Sequence, residues 1–173
     1  MAYDPMKDLA VIYVPGLTAP ALPWATAPAQ SNQDAIVLGY PLDGPYTAKA
    51  ARIRDSRQIK GPDIYNSGTV VREVYTIRSE VRSGNSGGPL ISPAGAVYGV
   101  IFAAAADDET TGFAVTAAEA ASVAGDGKAR TAATNTGIAP SQYPRPWPNH
   151  NCEWTPTRCG ASPWTSRRPA AGS

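Results

Sequence analysis

The chain reads as all-β, an antiparallel barrel with a short helix behind it, and three observations carry that reading. Between residues 35 and 116, six or seven short apolar or alternating runs follow one another. Each run is closed by a turn and no helix separates them, the rhythm of a closed antiparallel sheet. Hydrophobic residues make up 43% of the 173 and charged residues only 17%, which suits a globular chain with a core.

The first element is residues 8–14, where Asp8 heads the apolar run Leu9-Ala10-Val11-Ile12-Tyr13-Val14 and Pro15-Gly16 ends it. Its length and β-branching predict a buried strand. Residues 15–34 carry Pro20, Pro23 and Pro28 among alanines and small polar residues, and read as an extended connector outside the core. Residues 35–41 form the next apolar strand. Residues 46–59 interleave polar and apolar side chains as a half-exposed strand does, with Arg52, Arg54 and Arg57 on a solvated face or edge. Gly61-Pro62-Asp63 is turn chemistry, and residues 70–79 alternate again. Residues 89–92 and 96–102 predict a hairpin around Pro93-Ala94-Gly95. A last strand over 112–116 follows the acidic turn at 107–109, and residues 117–123 predict a helix capped by Thr116.

The composition changes abruptly near Gly137. Residues 138–173 hold three of the four tryptophans, both cysteines, the single histidine and seven of the 17 prolines, with no period of 2 or 3.6. They predict a disordered or aberrant tail of the kind a shifted reading frame or fusion scar leaves. The division expected is therefore 1–34 for an initial strand and connector, 35–125 for the barrel and helix, and 126–173 for the tail.

A net charge of +1 argues against a nucleic-acid or anionic-membrane partner. No run of about 18 apolar residues exists to span a bilayer. Residues 1–8 lack the basic and apolar segments of a signal peptide, so any export is expected to depend on a segment outside this chain. Cys152 and Cys159 could close a small loop but lack the ligands of a structural zinc site, with only His150 nearby. No metal or cofactor is expected.

The chemistry concentrates in Val81-Arg82-Ser83-Gly84-Asn85-Ser86-Gly87-Gly88-Pro89-Leu90. Glycines around Ser86 permit a tight bend that aims the amides of Gly84 and Ser86 at one point, where a carbonyl oxygen becomes an oxyanion. The bland reading is a glycine-serine turn without chemistry. Gly84-Asn85-Ser86-Gly87-Gly88 also matches the G-x-S-x-G elbow literally, with Asp107 or Asp108 and His150 in the required order. That elbow needs a helix after the serine, whereas Gly88-Pro89 leads into a hairpin.

The better match is the trypsin-like serine protease family. Gly84-Asn85-Ser86-Gly87-Gly88-Pro89-Leu90 resembles its nucleophile motif, and Asp8-Leu9-Ala10-Val11 resembles the strand start that carries its catalytic aspartate. Ser86 follows Asp8 by 78 positions, a normal spacing for the smaller members. Gly99-Val100-Ile101-Phe102-Ala103-Ala104 resembles the strand bordering the substrate, and Gly112-Phe113-Ala114-Val115-Thr116 the last strand before the C-terminal helix. The resemblance covers roughly residues 4–125. Val11-Ile12-Tyr13-Val14-Pro15-Gly16-Leu17, Gly61-Pro62-Asp63-Ile64-Tyr65, Val74-Tyr75-Thr76-Ile77-Arg78 and Phe102-Ala103-Ala104-Ala105 are similar to the membrane-anchored, acid-stress periplasmic proteases of actinobacteria. Asn85 is shared with HtrA-type proteases, but the tail does not resemble their PDZ domain. A late cysteine expected by that family near Ile138 has no counterpart.

The resemblance implies a double β-barrel of which most of the first barrel is missing. It implies Ser86 as nucleophile, Asp8 as the orienting carboxylate and the Gly84 and Ser86 amides as oxyanion hole. Glu80 falls near the base of the primary pocket, with Phe102, Ala103 and Ala104 on its wall, and a glutamate there would either suit a basic substrate side chain or point to solvent. The implied partners are protein or peptide substrates, with membrane association only through a missing N-terminal segment and a periplasmic or cell-envelope location. The family's histidine precedes its aspartate, yet none of the seven residues before Asp8 is histidine, and His150 falls in the wrong order. The chain is therefore expected to be an inactive endopeptidase domain or, alternatively, a non-catalytic binding module or degenerate gene product. Uncovered surface on residues 9–14 is expected to favour self-association.

Overall fold

The computed structural model describes residues 1–136. The tail expected over 126–173 lies outside them beyond Thr136, as do His150, Cys152 and Cys159.

Six strands close into an antiparallel barrel in the order β3-β4-β5-β8-β7-β6. They are β3 (Asp34–Gly39), β4 (Thr47–Pro62), β5 (Thr69–Arg78), β6 (Pro89–Ile91), β7 (Val97–Ala104) and β8 (Thr111–Thr116). Inward positions carry Val37, Ile53, Ile77, Leu90, Ile101 and Ala114, all essentially without solvent contact. Each fully buried Ile or Leu of this set contributes about 1.5–3 kcal/mol relative to exposure. The barrel thus follows from period-2 runs whose apolar sides face one another, as the sequence predicts. On β5 the alternation stops at residues 75–77, because Tyr75, Thr76 and Ile77 are all buried. Bulges between Ile53 and Asp55 and between Ile101 and Ala103 bend β4 and β7 into closure. Arg52, Arg54 and Arg57 are solvated as expected, each beside an exposed carboxylate: Asp34, Asp108 and Asp55.

Ahead of the barrel stands a separate two-stranded sheet, β1 (Ala2–Asp4) and β2 (Leu9–Val11), with Tyr3 opposite Ala10. No second closed barrel is present among the described residues. The buried strand expected over 8–14 is corrected on two points. It is only three residues long, and Ile12, Tyr13 and Val14 are 74%, 49% and 51% exposed. Its apolar composition was read as burial, but the described residues supply no second layer to cover it. The connector is also more structured than its prolines suggest. Trp24 forms a parallel bridge to Val97, the Ala25 amide donates to the Val97 carbonyl at 2.9 Å, and Ala29 is buried in the core.

The helix α1 (Ala117–Lys128) runs past the expected end at residue 123 through Gly125 and Gly127. Packing overrides the poor helix propensity of glycine here. Gly127 lies so close to β2 that a β-carbon on it would stand 2.5 Å from Val11 Cγ1. Thr116 occupies the N-cap position in extended conformation, but its hydroxyl makes no cap bond, contrary to expectation. The side-chain oxygen is instead buried without a partner. No helix of the described residues is long and apolar enough to cross a membrane.

Candidate active site

The loop between β5 and β6 is held from both sides. The Gly87 amide donates to the Ile101 carbonyl at 2.8 Å and the Ile101 amide to the Gly88 carbonyl at 2.9 Å. The Leu42 amide donates to the Ser83 carbonyl at 2.8 Å. Inside the loop the Asn85 amide reaches the Arg82 carbonyl and the Gly88 amide the Asn85 carbonyl, each at 3.0 Å. Gly84 sits at φ +92 against the Tyr40 carbonyl oxygen, 2.4 Å from where a β-carbon would be, so no other residue fits this bend without strain. The amides of Gly84 and Ser86 donate to no protein acceptor among the described residues, and both residues are solvent-exposed.

Asp8 approaches from the other side. Asp4 Oδ1 accepts from the Met6 and Lys7 amides at 3.0 and 3.1 Å, closing the turn between β1 and β2. Asp8 leaves that turn at φ +58 and is exposed. Asp8, Ser86 and Phe102 line one cavity of about 450 Å³, with Val11, Trp24 and Val123 forming much of its apolar wall. The Ser86 hydroxyl donates to the Phe102 main-chain carbonyl at 3.4 Å, a long bond to an acceptor that is not a base. Trp24 and Val123 were not read as site residues from sequence. Their signal is weak, one aromatic in a proline-rich connector and one valine in an alanine helix.

Glu80 lies elsewhere. It shares a hollow of about 240 Å³ with Leu42, Val81, Arg82, Ala104 and Ala105, and another of about 340 Å³ with Lys49 and Asn85. Its carboxylate accepts from Arg82 Nε at 2.6 Å and from Lys49 Nζ at 3.1 Å. These bonds, Arg82 first, hold its pKa below the ordinary carboxylate range. Ala104 faces the Glu80 hollow and Phe102 the serine cavity; Ala103, between them at the bulge, is half-buried.

A serine on a glycine-bent loop, two unpaired amides beside it and a carboxylate across an apolar cavity define a chain of the serine-hydrolase kind. The trypsin-like peptidase domain matches residues 1–100, and the chain belongs to that family. It is 51% identical over 122 residues to the serine protease Rv3671c of Mycobacterium tuberculosis, a match covering 70% of this chain and 31% of that protein. The crystal structure of the active form of the Rv3671c protease superposes with a TM-score of 0.71 at 48% identity, covering 79% of this chain and 59% of that one. The HtrA-type protease AlgW with a bound decapeptide shares the fold at 22% identity, with a TM-score of 0.64, over 75% of this chain and 40% of that one. The chain thus spans about a third of the curated relative it matches.

Proposed function

We propose that this chain carries the nucleophile half of a serine endopeptidase. Ser86 Oγ attacks the scissile carbonyl carbon, the Gly84 and Ser86 amides receive the oxyanion, and the C–N bond breaks as the amine leaves with a proton. Water then hydrolyses the acyl-serine. The step needs an imidazole from outside the described residues, which takes the proton of Ser86 Oγ and hands it to the leaving amine; Asp8 would orient it. Phe102, Ala103 and Ala104 run beside the substrate backbone. The observation that carries this reading is that Asp8 and Ser86 line one cavity while the two amides beside Ser86 remain free.

The described residues contain no imidazole, so among them Ser86 has no base. Loss of the histidine from such a site costs on the order of 10⁶ in turnover. The chain alone is therefore expected to be essentially inert, and its parent to act in the periplasm or cell envelope, anchored through a segment outside this sequence. A fluorophosphonate probe tests the site. Slow labelling that disappears in Ser86→Ala is expected, and rapid stoichiometric labelling would show that another base serves Ser86. A non-catalytic binding module is the second reading, favoured by the hydrogen bond of Ser86 to a main-chain carbonyl. Self-association through exposed Ile12, Tyr13, Val14 and Leu17 belongs to either reading and is read by sedimentation.

A further inference from the structure

Arg72 is a buried cation whose hydrogen bonds go to no carboxylate, although the charge of Asp63 in the β4–β5 hairpin is felt by it. It lies on β5, is only 8% exposed, and forms no ion pair among the described residues. Its bonds go to main-chain carbonyls instead. Arg72 Nε donates to the Met6 carbonyl at 2.7 Å, and one terminal nitrogen to the Pro62 carbonyl at 3.3 Å. Burying a guanidinium costs free energy unless it is hydrogen-bonded, so its place in the fold is defined by what it holds. One of the two groups it holds is the turn that delivers Asp8, two residues on.

That turn has few other ties. Lys7 pairs with Glu119 of α1 at 2.9 Å, and Tyr3 hydroxyl meets Tyr65 hydroxyl at 2.9 Å. Tyr65 follows β4 in the same hairpin whose other strand, β5, carries Arg72. The β4–β5 hairpin therefore clamps the β1–β2 unit at two points, once through the phenols and once through the guanidinium. Of these two, only the guanidinium bond falls inside the Asp4–Leu9 turn itself, where the Lys7–Glu119 pair is the tie to α1. Asp8, at positive φ and exposed, makes no side-chain hydrogen bond or ion pair among the described residues.

We propose that Arg72 is a positioning residue that fixes Asp8 relative to Ser86 by gripping the Met6 carbonyl. The inference rests on the proposed roles of Asp8 and Ser86. It accounts for a buried arginine on a strand that carries no site residue, and links the barrel mechanically to the carboxylate across the cavity.

The test uses the chain as it is, with two readouts. Hydrogen exchange followed by mass spectrometry reads the grip directly. Arg72→Met keeps the apolar stem and removes the donors. It is expected to speed exchange in residues 4–11 about tenfold while β3, β6, β7 and β8 stay protected, since local openings have their own free energies. Arg72→Lys, with a single donor nitrogen of shorter reach, should recover part of that protection. The second readout is fluorophosphonate labelling of Ser86 with free imidazole supplied as the missing base. Displacing a catalytic group by an ångström costs on the order of 10²-fold. Arg72→Met should slow imidazole-dependent labelling about tenfold or more. In an Asp8→Asn background it should slow it no further, because residues acting through one another are not additive.

Exchange that rises throughout the barrel or not at all in residues 4–11 overturns the proposal, as does an equal slowing by Arg72→Met with and without Asp8. If imidazole produces no labelling in the unsubstituted chain, it is the reading of Ser86 and Asp8 that fails. The exchange pattern then still decides whether Arg72 grips the turn.

Discussion

Gly39 on β3 lies directly against the buried side chain of Asn85, and a β-carbon placed on Gly39 would stand 2.7 Å from Asn85 Oδ1 and 3.3 Å from Asn85 Cα. Asn85 immediately precedes Ser86, is 2% exposed, and its side-chain oxygen has no hydrogen-bond partner. The asparagine side chain thus acts as a wedge between β3 and the serine loop, its oxygen held by shape while the main chain of Asn85 bonds within the loop. Gly39→Ala must push that wedge outward. Overpacking of this kind typically costs about 1–3 kcal/mol, and the loss is expected in urea unfolding together with altered exchange at residues 83–87. Unchanged stability and loop exchange would mean that the loop shifts freely.

The barrel was legible because its signal is repeated. Val37, Ile53, Ile77, Leu90 and Ile101 each sit in a short apolar or alternating run bounded by turns, and those runs reach one core. The serine loop was legible from its glycines, which carry both the bend and the family motif. Residues whose roles depend on a partner far along the chain were not. Ile12, Tyr13 and Val14 have the composition of a buried strand, and only tertiary structure shows that nothing among the described residues covers them. Helix α1 continues through Gly125 and Gly127 because Val11 packs against it, a contact about 116 positions away in sequence that no local propensity encodes. Arg72 shares its face of β5 with Val70, Val74 and Thr76 and is buried with them despite its charge, which only the tertiary contacts reveal.

Thr116 gives a prediction in the opposite direction from its expected capping role. Its hydroxyl oxygen is buried without a partner at the start of α1, so it contributes a desolvation cost and no cap bond. Thr116→Val keeps the shape and removes the orphan. Stability is expected to be unchanged or to rise by about 1 kcal/mol, where loss of a working cap would lower it by a similar amount. A fall in the thermal midpoint would restore the capping role.

Asp108 sets an acid limb. Its carboxylate accepts from Thr111 Oγ1 at 2.6 Å, from Thr110 Oγ1 at 2.7 Å and from the Thr110 amide at 2.9 Å. These bonds, Thr111 first, lower its pKa from 3.8 to about 2. The folded chain therefore holds the proton less tightly than the unfolded chain. The stabilisation is fully present above the unfolded value and drains away as pH falls through the window from about 4 to about 2. Asp108→Asn should be less stable at pH 6 and should lose less stability than the unsubstituted chain on going from pH 4 to pH 2. Urea midpoints at pH 6, 4, 3 and 2 read the difference, and parallel curves would exclude Asp108 as its source.

A basic substrate preference is one of the two readings of Glu80 from its motif position, and its surroundings argue against a strong one. Two cations, Lys49 and Arg82, already engage the carboxylate, so the three side chains together carry one positive charge. A lysine or arginine of the substrate would have to displace one of them or share an acceptor whose lone pairs are in use. All three groups are substantially exposed, at 36–50% of their side-chain surface, where an ion pair is worth at most about 1 kcal/mol. The apolar neighbours Leu42, Val81, Ala104 and Ala105 offer a surface that an aliphatic side chain can cover without such an exchange. Paired peptide boronates differing only in arginine or leucine at the position next to boron, which adds to a serine oxygen, report the preference as a ratio of affinities. Glu80→Gln should move that ratio by less than about fivefold, the equivalent of 1 kcal/mol. A collapse of arginine binding by a hundredfold would show that the carboxylate turns from Lys49 and Arg82 to the substrate, and would restore the basic specificity that the motif position alone suggests.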